Sequence, residues 1–329
     1  MKKERLFYLD FVRCLSFLLI FFYHFQFEST AAGISGSSLL RLEPANGTFG
    51  NVGVSLFFLI SGAALMYTYE DSLPLKSYLV KRAKSLFPMF WIAYILVFLR
   101  FDCMVQNPFA SQPPRHLIWT VIGMDGYLNG IVPTFYRIGE WFLGCIILLY
   151  LLFPLLRKAM LRFPRIFPII IVCLYAVGTF FYQGPVYADR FFLFRIPDLL
   201  VGMYFVHMRK KVSLPAALIC IGANILFLFC YLPLPLLLRM QLWGAALFFL
   251  LVYIGYFIRW KWVKKAVSFV SSISYAAFLL HHVIINRLVG LFAGQALGGL
   301  RTLFLLLYAF LITMCLSFCL QGVTKKLLR

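Results

Sequence analysis

The chain of 329 residues is 63% hydrophobic and 19% aromatic, whereas only 13% of its residues are charged. Together with a mean hydropathy of +0.89, this composition excludes a water-soluble globule and is typical of an integral membrane protein. We interpret the formal net charge of +20 as a topology signal with some affinity for anionic lipid. We do not interpret it as nucleic-acid binding, because the basic residues are concentrated between apolar runs.

Continuous apolar runs, rather than short alternating segments, predict helices instead of a β-barrel. Taken in chain order, the runs are separated by charged residues or by Pro and Gly. We predict an all-α polytopic membrane protein, a bundle of about ten transmembrane helices within one domain, residues 1–329. The ten predicted spans are residues 6–27, 51–69, 86–102, 138–156, 166–182, 191–208, 214–232, 237–258, 268–286 and 302–321.

The distribution of basic residues orients this bundle. They are concentrated at the two ends of the chain and in every second connection, and all lie on one side if there are ten spans. By the positive-inside rule both termini are then cytoplasmic, and the two longest connections, 28–50 and 103–137, are external. Long loops on one face often build a site, with a disordered link as the alternative. The basic segments are 2–5, 76–84, 157–165, 209–211, 259–265 and 325–329.

The first span, "YLDFVRCLSFLLIFFYHF" (8–25), contains three ionisable residues, Asp10, Arg13 and His24. Eleven residues lead from Arg13 to His24, which in a helix is about three turns plus 20° and a rise of about 16 Å. These two residues therefore share a face, and Asp10 is placed to pair with Arg13. Because ionisable groups are costly in lipid, we expect this face to point into the bundle or a wet cavity.

Two further acid–base pairs are predicted, Arg137 with Glu140 and Arg195 with Asp198. A structural ion pair explains each of them when it is taken alone. Taken together with the first span, we interpret them as the lining of an internal site. We expect no metal, because the cysteines form neither a CxxC motif nor a Cys/His cluster. Other polar groups that enter the apolar runs are Arg100, Arg239, His281 and His282.

The spacing of Arg13 and His24 resembles the arginine–histidine signature of the membrane acyltransferase 3 family. The segments "GNVGVSLFFLISG" (50–62), "KRAKSLFPMFW" (81–91), "EWFLGCIILLYLLFPLL" (140–156), "RIPDLLVGM" (195–203) and "SISYAAFLLHH" (272–282) resemble further family motifs in the same order. Two features depart from the family. Its second-span motif often carries an aspartate before the phenylalanines, where this chain has Ser55 and Leu56. We also expect no fused hydrolase-like domain after Arg329.

The resemblance implies a multi-pass acyltransferase of the cell membrane, of the type that O-acetylates exopolysaccharide or other envelope glycans. Such an enzyme transfers acyl groups other than aminoacyl groups. The donor implied is cytoplasmic acyl-CoA, with acetyl-CoA as the family default. The acceptor implied is a hydroxyl of an envelope glycan or of a lipid-linked sugar. Membrane lipid is the other expected partner, and the oligomeric state stays open.

Roles follow for individual residues. His24 is the candidate general base, with a covalent acyl-histidine relay as the alternative role. Arg13, oriented by Asp10, is expected to bind a phosphate or the pantetheine group of acyl-CoA. Lys81, Arg82 and Lys84 form a basic cluster suited to the nucleotide phosphates, although the positive-inside rule also explains them. The residues expected to face the acceptor are Arg137, Glu140, Trp141, Arg195, Asp198 and His281, the last with a structural histidine as the alternative.

The main rival hypothesis is a transporter or flippase for a lipid-linked glycan. A bundle with buried charge pairs and basic cytoplasmic connections suits a substrate path equally well. The two hypotheses differ in chemistry, because a transporter does not consume acyl-CoA. A transporter is also expected to tolerate His24→Ala more often than an acyltransferase does.

Overall fold

The structure is a computed structural model that describes residues 4–34, 44–100, 109, 112–208 and 211–328. Within these ranges the fold is all-helical, without a β-strand. Part of each long external connection and residues 2–3, 209–210 and 329 of the basic segments lie outside the described residues. The helices are α1 (Phe7–Ala31), α2 (Phe49–Tyr69), α3 (Leu75–Phe98), α4 (Leu117–Val121), α5 (Asp125–Leu128), α6 (Glu140–Arg162), α7 (Ile166–Phe181), α8 (Ile196–His207), α9 (Leu214–Phe229), α10 (Leu236–Phe257), α11 (Lys261–Gly290) and α12 (Gly299–Leu327).

Each predicted span overlaps one of these helices, but not every helix is long and apolar enough to cross a membrane. Among the described residues six helices meet both conditions, α1, α2, α6, α10, α11 and α12. Helices α7 and α9 are apolar but have only 16 residues each. The membrane-helix character is therefore confirmed, while the count of ten spans and the cytoplasmic termini stay predictions.

Some helix boundaries differ from the predicted ones for local reasons. Helix α3 begins at Leu75, because the basic stretch that follows consists largely of residues that favour helices. Helix α8 is shorter than predicted, with 12 residues. A 3₁₀ turn over Phe192–Arg195 precedes it, and Pro197 lies in its first turn, where a missing N–H costs nothing.

Helices α1 and α2 form the centre of the bundle. Helix α1 packs against α2, α10 and α11, and α2 also packs closely against α8. The crossing of α2 and α8 depends on Gly62 and Gly202. A Cβ added at Gly62 would lie 1.9 Å from the carbonyl oxygen of Leu199, and one added at Gly202 would lie 1.9 Å from that of Leu59. This crossing confirms the small-residue packing expected for membrane helices, and it fixes α2 beside the site described next.

Candidate active site

Three helices bring ionisable side chains together at one end of the bundle. His24 lies in the last two turns of α1, Glu140 begins α6, and His281 and His282 lie in the C-terminal half of α11. The Nε2 atom of His24 lies 3.6 Å from Glu140 Oε2. The other oxygen, Glu140 Oε1, lies 3.6 Å from His281 Nε2 and 3.4 Å from His282 Nδ1. One carboxylate thus faces three imidazole rings, and we call these four residues the histidine cluster.

Glu28 extends the histidine cluster toward the surface of the bundle. Its Oε1 atom lies 2.8 Å from His282 Nε2, and its Oε2 atom accepts a hydrogen bond from Asn286 Nδ2 at 2.9 Å. The sequence indicates no role for Glu28 in the first span, because that span is expected to end at residue 27. Helix α1 continues to Ala31 and so places Glu28 one turn after His24 on the same face. That i,i+4 spacing is the signal by which the sequence indicates this residue.

Hydrogen bonding fixes the tautomer of His281. Its Nδ1 atom lies 2.8 Å from the carbonyl oxygen of Phe278, which only an N–H can approach favourably. In neutral His281 the lone pair is therefore on Nε2. This atom is buried and has no hydrogen-bond partner among the described residues, and the same holds for His24 Nδ1. Both imidazoles can accept a further proton.

The backbone at the start of α6 is strained, and it aims Glu140 at the histidines. Gly139 has φ 89°, and Glu140 itself has φ 30°, a left-handed conformation that is uncommon for a residue with a side chain. Helix α5 supports this turn at Gly126. A Cβ added at Gly126 would lie 2.3 Å from the carbonyl carbon of Glu140. Only glycine therefore allows α5 to approach the carboxylate-bearing turn this closely.

A cavity of about 390 Å³ opens against the histidine cluster. This volume lies in the range of small-molecule sites. His24, Glu140 and His282 form part of its wall. The remaining wall combines polar side chains with aromatic surface, a combination suited to sugar rings and their hydroxyls. Its main residues of these kinds are Asn51, Asn129, Tyr136, Trp141, Asp189 and Arg190.

A second polar group lies toward the opposite end of α1. Asp10 is buried and accepts a hydrogen bond from Ser271 Oγ at 2.7 Å. Arg13 Nη1 lies 3.7 Å from Asp10 Oδ1 and donates to Ser271 Oγ at 3.5 Å. Arg5 also bonds to Asp10. The predicted pairing of Asp10 with Arg13 is confirmed, whereas Ser271 is a partner that the sequence does not indicate.

Comparison with known proteins identifies the family. Residues 6–321, nearly the whole chain, match the family described as the acyltransferase domain, Acyl_transf_3. The chain belongs to the acyltransferase 3 family. This membership confirms the resemblance noted from the sequence and indicates a membrane acyltransferase. Among curated proteins and among solved structures there is no match.

In this acyltransferase the predicted pair of Arg195 and Asp198 is confirmed, with Arg195 Nη1 3.3 Å from Asp198 Oδ2. Both side chains are buried behind the cavity wall, where the Arg195 guanidinium lies 5.6 Å from the ring centroid of Trp141. Arg195 also donates to Ser55 Oγ at 3.1 Å. Ser55, which lies in the motif where the family often has an aspartate, thus accepts a hydrogen bond from this arginine. The other terminal nitrogen, Arg195 Nη2, has no hydrogen-bond partner among the described residues. The placement favours support of Trp141 over direct contact with an acceptor.

The predicted pair of Arg137 and Glu140 is not what this acyltransferase forms. The Arg137 guanidinium is exposed and donates to the carbonyl oxygen of Tyr136 at 2.9 Å, while Glu140 faces the histidines. Arg137 instead lines a neighbouring cavity of about 350 Å³, which also contacts His282. The prediction assumed that Arg137 and Glu140 lie on one helix. Helix α6 begins only at Glu140, so the two residues do not share a helix face.

The basic cluster lies on the N-terminal half of α3. Lys81 and Lys84 are exposed, and Arg82 is half-buried with its guanidinium 5.7 Å from the ring centroid of Tyr150. The side chains are therefore accessible to an anionic ligand. Their predicted role in binding nucleotide phosphates stays a prediction.

The acyltransferase's histidine cluster also has the spacing of a metal site. One ligand atom from each of His24, Glu140 and His281 lies within 4.8 Å of the others. Two imidazoles and a carboxylate are a ligand set that zinc accepts. The cysteine pattern of the sequence predicts no metal, and a bound cation would use the lone pair that a general base needs. Chelation therefore distinguishes the two uses of this cluster.

Asp125 of α5 is a further buried acid near the site, outside the candidate spans. Its side chain is 1% exposed and accepts a hydrogen bond from Thr120 Oγ1 at 2.6 Å. Burial raises the pKa of this carboxyl to about 6, although the Thr120 hydrogen bond acts in the opposite direction. Asp125 thus changes charge within the range in which the acyltransferase can be assayed.

Proposed function

We propose that this protein is an integral-membrane O-acyltransferase that moves an acyl group, acetyl by family default, from cytoplasmic acyl-CoA to a hydroxyl of an envelope glycan or lipid-linked sugar. The observation that carries the proposal is the position of His24. It lies in the wall of a cavity, with Nε2 toward Glu140 and with a buried Nδ1 that has no hydrogen-bond partner among the described residues.

The arrangement supports general-base catalysis. The imidazole of His24, which forms part of the cavity wall, accepts the proton of the acceptor hydroxyl, the hydroxyl oxygen attacks the thioester carbonyl, and the carbon–sulfur bond breaks. The thiolate of CoA leaves and takes up the proton that His24 accepted, so that the ester and free CoA are the products and His24 is neutral again. Glu140 orients the imidazole and stabilises the imidazolium that forms, as a carboxylate does in hydrolase triads. Attack of a His24 ring nitrogen on the thioester carbonyl, which releases the CoA thiolate and gives an acyl-histidine, is the alternative use of His24.

The donor is assigned to the other end of α1. Arg13 supplies a guanidinium for a phosphate or for pantetheine, and Asp10 and Ser271 hold it in place. Lys81, Arg82 and Lys84 add positive charge for the nucleotide phosphates. This assignment requires ten spans, cytoplasmic termini and a location in the cell membrane, with the histidine cluster toward the external face. Labelling of single cysteines introduced beside Arg5 and Asn286 tests that orientation.

The function is tested by acyl-CoA turnover in nanodiscs, with labelled acetyl-CoA and a crude envelope glycan extract. We expect wild-type protein to transfer label and His24→Ala to transfer none. Arg13→Ala is expected to raise KM for acetyl-CoA. His207→Ala is a matched control, because His207 also pairs with a carboxylate, Glu70, at 2.8 Å, but lies outside the cavity. Size-exclusion profiles confirm that each variant is folded.

Two results contradict the proposal. Equal transfer by His24→Ala and His207→Ala removes His24 from the chemistry. Failure of the wild type to consume acetyl-CoA or longer acyl-CoA with any extract argues against an acyltransferase and favours the rival transporter.

A further inference from the structure

His282 contacts two carboxylates at once. Its Nε2 atom lies 2.8 Å from Glu28 Oε1, and its Nδ1 atom lies 3.4 Å from Glu140 Oε1. The ring also lies beside His24, with ring centroids 4.9 Å apart. It forms part of the wall of both the 390 Å³ and the 350 Å³ cavities. His282 therefore links the carboxylate that faces His24 to an acid at the rim of the bundle.

Neither neutral tautomer of His282 fits these two contacts. A neutral imidazole carries one N–H and one lone pair. If the hydrogen is on Nε2, the lone pair of Nδ1 faces a Glu140 oxygen. If it is on Nδ1, the lone pair of Nε2 faces a Glu28 oxygen at hydrogen-bond distance. Only the doubly protonated ring turns an N–H toward each carboxylate, as a charge-assisted hydrogen bond to Glu28 at 2.8 Å and as an ion-pair contact with Glu140 at 3.4 Å.

From this geometry we propose that His282 is a permanently protonated positioning residue, a cationic bridge between Glu28 and Glu140 that holds Glu140 against His24. The inference rests on the proposed function for the role of His24, but the protonation of His282 does not depend on it. His282 touches no reacting atom in this arrangement and acts through Glu140.

The bridge sets the net charge of the site. With Glu28 and Glu140 ionised, His282 doubly protonated, and His24 and His281 neutral, these five groups carry one net negative charge. When His24 accepts the hydroxyl proton, their net charge becomes zero. The five groups are then neutral, while the negative charge passes to the attacking oxygen and then to the leaving thiolate, so the protein adds no uncompensated charge of its own to a site largely shielded from water.

Other charged or titratable groups also surround the bridge. They lie on the segments packed against α11 or in the walls of the two cavities. A change in the pH dependence of activity is therefore attributed to His282 only after titration of these groups has been considered. These groups are Tyr136, Arg137, Asp189, Arg190 and, on α11 itself, Arg287.

The direct test is the protonation state of His282 in the full chain in nanodiscs. Histidine with a ¹⁵N-labelled ring is incorporated, and the signals are assigned by difference with His282→Gln among the 5 histidines of the chain. We expect His282 to carry two N–H groups at about pH 8, where an unperturbed histidine is neutral. Glu28→Gln should return His282 to the neutral form, and His207→Gln should leave its signals unchanged. A neutral His282 in the wild type at that pH overturns the inference.

Kinetics supply the second readout. Relative to the wild type, His282→Gln should lower kcat by roughly tenfold with KM for acetyl-CoA unchanged. The acidic limb of its pH–activity profile should move to higher pH, because loss of a nearby positive charge makes it easier for His24 to keep a proton. Glu28→Gln should not move that limb to higher pH, and His282→Arg should keep more activity than His282→Gln. An active His282→Gln with an unchanged profile overturns the positioning role even if His24→Ala is inactive. A doubly protonated His282 in a protein without acyl-CoA turnover instead supports the bridge and contradicts the proposed function.

Discussion

Replacing Glu140 by Gln removes one negative charge from beside His24 while keeping the shape of the side chain. In the proposed reaction His24 becomes an imidazolium whose Nε2 lies 3.6 Å from the carboxylate. At an effective dielectric constant of about 20, two unit charges at that separation attract each other by roughly 4–5 kcal/mol. His282 already neutralises part of the carboxylate's charge, so we expect roughly half of this energy to be lost, about 2–3 kcal/mol. The corresponding fall in kcat is about 30- to 150-fold.

The assay is steady-state transfer of labelled acetyl groups in nanodiscs, with kcat and KM determined separately for Glu140→Gln. The expected loss is in kcat, because the imidazolium exists only after the proton has been transferred. Glu70→Gln is the matched control, since Glu70 pairs with His207 at 2.8 Å but does not line the cavity. If Glu140→Gln keeps wild-type kcat, or is no worse than Glu70→Gln, Glu140 does not support His24 and the reasoning is refuted.

Three further outcomes are expected. Gly62→Ala should lower the free energy of unfolding in detergent by roughly 1–3 kcal/mol or more, because the Cβ of the alanine would clash with the Leu199 carbonyl oxygen. Gly322→Ala in α12 is the control and should be neutral or stabilising, because the space around Gly322 is open. Asp125→Asn should flatten the dependence of the unfolding free energy on pH. Because the pKa of Asp125 is raised to about 6 in the folded protein, its protonated form contributes at most about 3 kcal/mol of stability, which is complete below about pH 4 and is lost as the pH rises through about 6. An unchanged pH dependence in Asp125→Asn would contradict this. Dialysis against a strong chelator should leave transfer activity unchanged, and a loss restored by zinc would instead assign the histidine cluster to a metal.

Spacing within continuous right-handed helical backbone predicted contacts well, and spacing across a left-handed turn did not. Arg195 and Asp198 form the predicted pair, since Arg195, the residue before α8, already has right-handed helical backbone. Arg137 and Glu140 have the same spacing but do not pair, because the chain turns through left-handed backbone at Gly139 and Glu140 before α6 begins. Such a turn depends on the close approach of α5, a contact between distant segments that no local pattern contains.

The histidine cluster itself shows the same limit. The sequence places His24 on a polar face and singles out Glu140 and His281 as separate candidates, but only the packing of α1, α6 and α11 brings them within reach of one another. The same packing of α1 and α11 brings Glu28 and His282 into contact. From the sequence alone, Glu28 is a residue beyond the end of the first span, and His282 is the neighbour of the histidine in a family motif.

Helices α1 and α11 are in register between Arg13 and His24. Arg13 contacts Ser271 and His24 contacts His282, and each pair of positions along its own helix is eleven residues apart. The two helices therefore run parallel, with about 16 Å of shared rise between Arg13 and the histidine cluster. Along this seam the side chains are mainly apolar, including Phe17, whose ring lies against His281. Beside an apolar seam the neutral thioester arm of acyl-CoA costs less to bury than its phosphates, because burying an uncompensated charge is costly. On the proposed function, this difference keeps the nucleotide at Arg13 while the acyl carbon reaches His24.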